Sequence, residues 1–386
     1  MSATNRRSSF CATAILKATA LTCLLSLLFG CSALDAGKGE DFSIVQSRFL
    51  GSVWNEGHAR ASIISQDGGF SYAVPDGSLW WFGDTFKGSR DEAGKPRFSG
   101  GAVSCCVAWL DDSATSAPPV LKYLLGTDGK VAQAIPFLPE ETWDRYRIWP
   151  LSGCYANGKS YIYFSLIEIT GEGMWAFQCV GSGLACSDQP FSAHQRIQTA
   201  DGWRFPVAPA AIVSKDDWLY LYDVEKRDEQ QGVWLSRVKP EEIENPNAYE
   251  FYCGAGQGFS SDINQQTLLL KDIYGQTSVV WNECLQRYIL AASSDFFHAR
   301  EIRFYTAAHP AGPWREAAAS VNAPEHLQGK LVELIYCSYF HPELFRDDGR
   351  VISMTFSTHL KDSGFDANNE AVEIEIEPKA LNTRGR

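Results

Sequence analysis

Asp67 and Asp84 are the two residues of this chain whose type and spacing most invite chemistry. They stand at the ends of one short hairpin. It runs from Gln66-Asp67-Gly68-Gly69-Phe70-Ser71 through Pro75-Asp76-Gly77-Ser78 to Leu79-Trp80-Trp81-Phe82-Gly83-Asp84-Thr85. Proline presets φ at the turn, and glycine supplies a conformation that other residues avoid. Aromatic and β-branched residues on both sides favour strand. With Val74 paired to Leu79, Asp84 falls opposite Gly69 and Asp67 opposite Phe86. The two carboxylates then share a face at the open end of the hairpin, diagonally placed about 7–8 Å apart at Cα. Carboxyl groups held together in a cleft raise each other's pKa, the condition for acid–base work. Cleavage of a glycosidic bond needs such a pair, about 5–5.5 Å apart for retention and about 6.5–9.5 Å for inversion. The same residues admit a structural reading, in which Asp84 caps a turn and Asp67 is solvated in a loop.

The elements that must position such a pair recur along the chain. Four more hairpins, each an apolar strand, a polar turn and an aromatic or aliphatic second strand, begin at Ile148, Phe205, Thr277 and Tyr339. Their turns are Ala156–Lys159, Ser214–Asp217, Glu283–Gln286 and Asp347–Arg350. This spacing accommodates four strands plus loops, and five copies predict an all-β, five-bladed β-propeller. Short helical turns are expected only near Pro139-Glu140-Glu141 and Pro240-Glu241-Glu242-Ile243, where proline starts an acidic first turn. A β-sandwich explains the short strands but not the recurring unit.

In a propeller, the starts of inner strands and the ends of second strands meet at one face. That rule gathers Asp67 and Asp84 with Arg147, Trp149 and Glu168 of the second copy. It adds Asp223 and Glu225 of the third, Asp295 of the fourth, and Tyr339, His341 and His359 of the fifth. Arg147 suits a carboxylate clamp, because acidic residues dominate this face. Arg147, Trp149, Glu168, Asp223, Tyr339 and His341 are the candidate substrate-binding residues. Each has a structural alternative: Glu168 and Glu225 as solvated loop residues, Asp223 as a turn former, His341 as a buried structural histidine, Trp149 as blade packing. Motifs for serine hydrolases, zinc proteases and phosphate-binding loops are absent, and no Cys or His spacing suggests zinc.

The ends and the composition set the compartment. Arg6, Arg7 and Lys17 precede an apolar stretch from Ala18 to Phe29, too short for a convincing membrane span and typical of an export signal. Leu28-Phe29-Gly30-Cys31 resembles the bacterial lipoprotein box, which implies cleavage before Cys31 and lipid on its thiol. The domain reading is therefore a signal over 1–30, a tether over 31–50 and one propeller over 51–380. The implied location is the cell envelope, the outer membrane in a Gram-negative host because Ser32 rather than aspartate follows Cys31. Removing the three positive charges of residues 1–30 from 34 Lys and Arg leaves 31 against 46 Asp and Glu, a net charge of −15. So acidic a chain, without a basic cluster, excludes nucleic acid as a natural partner and suits a neutral or cationic ligand. Eight cysteines remain beyond Cys31, an even number that points to disulfides in an exported protein. Cys179 and Cys186, around Val-Gly-Ser-Gly-Leu-Ala, form the most credible local pair.

The first hairpin also carries a family likeness. Gln-Asp-Gly-Gly-x-Ser followed by Asp-Gly-x-Leu-Trp-x-Phe-Gly-Asp-Thr resembles the bacterial propeller family called domain of unknown function 4185, some members of which are endo-D-arabinanases. Looser matches at Trp281-Asn282, His309-Pro310-Ala311-Gly312-Pro313-Trp314 and Tyr339-Phe340-His341-Pro342-Glu343-Leu344 extend the likeness over most of residues 55–360. More distantly the chain resembles five-bladed arabinanases and β-xylosidases, in which an aspartate at the start of the first inner strand is the base. Asp67 matches that place. The third inner strand, Phe205-Pro206-Val207-Ala208-Pro209, offers no carboxylate, which departs from their three-carboxylate pattern and favours the Asp67/Asp84 pair. The resemblance implies a glycoside hydrolase acting on an arabinan-like or related polysaccharide or oligosaccharide, without a cofactor. By analogy a structural calcium could sit in the central channel. A non-catalytic glycan-binding lipoprotein and an envelope scaffold stand as alternatives, because fold resemblance does not separate them.

Overall fold

The recurring hairpins are the inner and second strands of five antiparallel blades. A computed structural model describes residues 39–379 apart from 93–95, 114–117, 174–175, 201, 228, 294–299, 328 and 362–366. The paired strands are Ile63–Val74 with Gly77–Arg90 in blade 1 and Tyr146–Ala156 with Lys159–Ile169 in blade 2. Blade 3 pairs Pro209–Lys215 with Trp218–Arg227, and blade 4 pairs Tyr274–Asn282 with Arg287–Ser293. Blade 5 pairs Lys330–Phe340 with Val351–Leu360. Each inner strand touches the next, and the inner strand of blade 5 touches that of blade 1. The ring is closed, and the fold is a five-bladed β-propeller.

Closure uses the start of the described chain. Phe42–Ser52 pairs with Ala367–Pro378 as the outermost strand of blade 5. Residues 42–50 are therefore part of the propeller and not of a tether. The physical reason is that blade 5 would otherwise end in an open edge. Phe42, 1% exposed, anchors the strand by packing edge-on against Phe304 of blade 4 at 6.1 Å.

Neighbouring blades share apolar cores. Between blades 1 and 2 the core holds Phe70, Leu79, Trp81 and Val107 against Ile148, Ile162, Phe164 and Ala185. Successive strand residues point to opposite faces, so Trp80 and Trp81 enter two different cores, both almost fully buried. Much of the aromatic content is thus blade packing. Truncating Trp81 to alanine should cost about 3–5 kcal/mol.

Four details differ from the sequence reading. The first turn is two residues, Pro75-Asp76, with Val74 opposite Gly77 and Tyr72 opposite Leu79. Asp76 takes the left-handed conformation (φ 66°), which aspartate tolerates, and so closes the turn early. The inner strand of blade 5 ends at Phe340, where Pro342 cannot donate to a ladder. Pro342–Leu344, expected within that strand, instead forms a 3-10 turn, and the expected turn at Asp347–Gly349 is a second one. Pro240–Glu242 is the expected 3-10 turn, whereas Pro139-Glu140 is a plain turn. Finally, Cys179 and Cys186 lie on one extended strand, Phe177–Ser187. Seven residues of strand span about 23 Å, far beyond the roughly 7 Å limit of a disulfide, and all eight cysteines of the described chain are free.

Candidate functional site

The site sits at the mouth of blade 1 and is made by irregular backbone. Gln66 pairs with Thr85 and Gly68 with Phe82, so Asp67 faces the two residues Gly83 and Asp84 across a bulge. A second irregularity follows, because Phe70 pairs with Trp81 and leaves Gly69 extra. Gly68 and Gly69 take φ of 80° and 116°, values that other residues avoid. The Gly-Gly pair therefore lets the strand bulge and re-aim Asp67. The two aspartates consequently face one another across the bulge, in place of the diagonal arrangement expected from a regular hairpin.

Asp67 is half-buried. Its Oδ1 accepts the amide of Gly68 at 2.7 Å, and the Tyr336 hydroxyl donates to it. Burial pushes its pKa up, against the pull of the Tyr336 hydroxyl, nearby His359 and the Gly68 amide. Tyr336 lies flat against His359, with ring centroids 5.4 Å apart and planes at 15°. A further bulge sets Tyr336: it pairs with Ser357, whereas Tyr339 pairs with Thr355, leaving one residue extra. Cys337, inside that bulge, has φ 54°, an unfavourable conformation for a residue with a side chain. The Cys337 thiol donates to Gln276 Oε1 at 3.2 Å, and the Tyr339 hydroxyl donates to the same oxygen.

Asp84 retains 24% of its side-chain exposure. Burial raises its pKa to about 7, with Asp67 adding to the rise and Arg147 and the Trp149 indole opposing it. Its Oδ1 is buried without a hydrogen-bond partner and lies 3.7 Å from Arg147 Nε. Arg147 is fixed by donating to the carbonyls of Trp143 and Tyr146, and its guanidinium lies 3.6 Å over the Trp143 ring. Trp149 packs edge-on against Phe177 at 4.9 Å. Both carboxyl groups thus have raised pKa values, and each is held by different donors.

The structure thus brings Asp67, Asp84, Arg147 and Trp149 together, with His359 near Asp67, and sets Glu168, Asp223, Tyr339 and His341 in other surroundings. Glu168 is bound at the rim by Arg145 at 2.7 Å and Gln178 at 2.9 Å, which lower its pKa. Asp223 does lie at the start of blade 3, opposite Pro209. It is sealed from solvent, with its pKa pushed up to about 8 by burial and by Glu225, and so has no surface to offer a ligand. Tyr339 is buried against Phe70. His341 is a structural residue: it stacks on Trp80 at 3.9 Å and bonds Ser71 and Thr355, and burial pulls its pKa down to about 3. Beside it lies Glu343, a carboxyl that burial raises to about 7. Asp295 and Cys31 lie outside the described residues. Among the described residues no group of His, Cys, Asp and Glu is arranged to hold a metal, so no acidic donor set for a channel calcium is found there. No helix of the described residues is long and apolar enough to cross a membrane. Tyr336 escaped the sequence reading because a bulge, invisible in residue spacing, decides where it points.

No functionally curated protein matches the chain. Among solved structures, a "putative hydrolase" from Bacteroides ovatus is similar at 15% identity with a TM-score of 0.61, over 82% of this chain and 87% of that one. That likeness concerns the fold alone. Two weaker likenesses carry no argument. They are the GH43_1 enzyme from Xanthomonas citri complexed with xylotriose (15% identity, 89% and 93% coverage, TM-score 0.47) and an α-L-arabinofuranosidase from Podospora anserina in complex with cellotriose (12%, 88% and 98%, 0.45). A family model matches residues 58–374, from the helix before the first inner strand into the last strand of blade 5, and the chain belongs to that family, the domain of unknown function DUF5005.

Proposed function

We propose that this propeller is a glycoside hydrolase of the cell envelope, anchored by lipid on Cys31, that cleaves an arabinan-like or related polysaccharide. The observation carrying the reading is the facing carboxyl pair at the propeller mouth, with Gly68 and Tyr336 on Asp67 and Arg147 and Trp149 on Asp84. Asp67, at the start of the first inner strand and with a backbone amide and a phenol to hold its charged form, takes the role of base or nucleophile. Asp84, with a pKa of about 7, exchanges its proton near neutral pH and serves as the acid toward the leaving oxygen. Arg147 then gains a full ion pair each time Asp84 releases its proton. The resemblance of the first hairpin to the arabinanase-containing family 4185 supports the substrate class.

The test is incubation of the purified propeller with arabinans, galactans and xylans, with analysis of released sugars, beside Asp67→Asn. Cleavage by the wild type and its near-complete loss in the variant is the expected result. Full activity in Asp67→Asn removes Asp67 from the mechanism. Binding without cleavage transfers the reading to a glycan-binding lipoprotein. Mass analysis of the mature N-terminus tests the anchor, and an unlipidated chain cut elsewhere removes it.

A further inference from the structure

The second strand of blade 1 does not stop at Asp84. It continues to Arg90 and pairs there with Pro96–Val103, a strand whose residues 97–101 are exposed. Alternate residues of a strand share a face, so Phe86 stands on the same face as Asp84. Phe98, opposite Gly88, joins that face one step further out. The intervening residues Thr85 and Lys87 point to the other side. Phe98 is 57% exposed, among the most exposed large apolar side chains described. Its ring meets Phe86 edge-on at 6.1 Å, and Phe86 meets Trp143 edge-on at 6.3 Å. Trp143 is the ring beneath Arg147, the cation beside Asp84. A row of three aromatic rings therefore leads outward from the Asp84 end of the carboxyl pair.

We propose that Phe98, Phe86 and Trp143 form a binding wall for successive sugar rings of a neutral glycan, on the leaving-group side of the scissile bond. The proposal rests on the glycosidase reading, and in particular on Asp84 as the acid. The side follows from position: the group protonated by Asp84 departs toward Asp84, and the wall begins there. The occupant follows from chemistry. Aromatic rings beside a cation already turned to Asp84 suit the apolar faces of uncharged sugars. The continuity of the wall with the carboxyl pair distinguishes it from a patch made for a protein partner. A glycan that uses the wall extends past the cleavage point, so the propeller should favour longer chains over disaccharides.

The experiment measures binding of α-1,5-linked arabino-oligosaccharides and xylo-oligosaccharides, dimer through hexamer, by calorimetry. The host is Asp67→Asn, in which the ligand stays uncut, and product patterns are recorded with the unmodified active site. Affinity should rise with chain length in the host. Adding Phe98→Ala should remove that rise, weakening the longest bound oligomer about fivefold to tenfold, and Phe98→Trp should restore it. Because Phe98 is exposed, its replacement leaves the fold intact, which thermal melting verifies. Equal affinity with and without Phe98, in a protein that still binds or cleaves the glycan, overturns the wall and leaves the glycosidase reading standing. Absence of both binding and cleavage across the two series and the polysaccharide panel overturns both.

Discussion

Replacing Asp84 by asparagine should make the protein more stable in alkali while making it inactive. The folded environment lifts the Asp84 pKa from 3.8 to about 7, chiefly through burial. Each unit corresponds to about 1.4 kcal/mol, so keeping Asp84 ionised in the folded state costs up to about 4 kcal/mol. Its 24% exposure screens part of this, and roughly half, about 2 kcal/mol, is the expected realised value. The direction follows from linkage. A raised carboxyl pKa gives a contribution that is complete below about pH 3.8 and is lost as pH rises through about 7. Wild type loses it across that window, whereas asparagine has no proton to lose. Removal of the neighbouring charge also eases ionisation of Asp67, which acts in the same direction. The stability of Asp84→Asn relative to wild type should therefore grow by about 2 kcal/mol between pH 4 and pH 8. Urea unfolding of both proteins at the two pH values measures it. A difference that stays constant with pH would falsify the claim that this carboxyl is strained, whatever happens to activity.

Tyr336→Phe removes a donor that holds the Asp67 pKa down. The acid limb of the kcat/KM profile should move to higher pH, with rate lost at mildly acidic pH. An unmoved limb disconnects Tyr336 from the base. His341→Ala should act oppositely in kind: with the stack on Trp80 and two hydrogen bonds gone, denaturant unfolding should show a loss of about 3 kcal/mol. Turnover per folded molecule should stay near wild type, and a selective loss of turnover instead returns His341 to the site.

The propeller was legible because its blades repeat one local rule. An apolar strand, a turn and another apolar strand recur five times, and each signal depends only on neighbours in sequence. What local rules could not supply was closure. Nothing in Phe42–Ser52 marks it as a strand of the last blade, since its partner lies more than three hundred residues away. The same limit misplaced the fifth inner strand, where His341 was a site candidate but caps a 3-10 turn just past the strand end. Cys179 and Cys186 failed for a related reason. Glycine at 181 and 183 reads as loop, yet both lie in strand, and Gly183 is needed there because a Cβ would fall 2.5 Å from Phe164.

The carboxyl pair itself was found by a register that is wrong in detail, and the error is informative. A regular hairpin would have set Asp67 and Asp84 diagonally apart, each free to be solvated. Two irregularities in blade 1 and one in blade 5 instead set Asp67 across from Asp84 and bring the Tyr336 hydroxyl to Asp67. Each needs backbone that ordinary residues resist: Gly68 and Gly69 at positive φ, and Cys337 at φ 54° with no glycine to relieve it. Strain of this kind persists only where surrounding structure over-determines it. Here the surroundings are the inter-blade cores, which are regular where the mouth is not. The raised carboxyl pKa values lie beside this irregular backbone: Asp67 precedes Gly68 and Gly69, and its Tyr336 partner precedes Cys337. Asp223 has a raised pKa too, but it is sealed from solvent, so it is the partial exposure of Asp67 and Asp84 at the mouth that supports the proposed reaction.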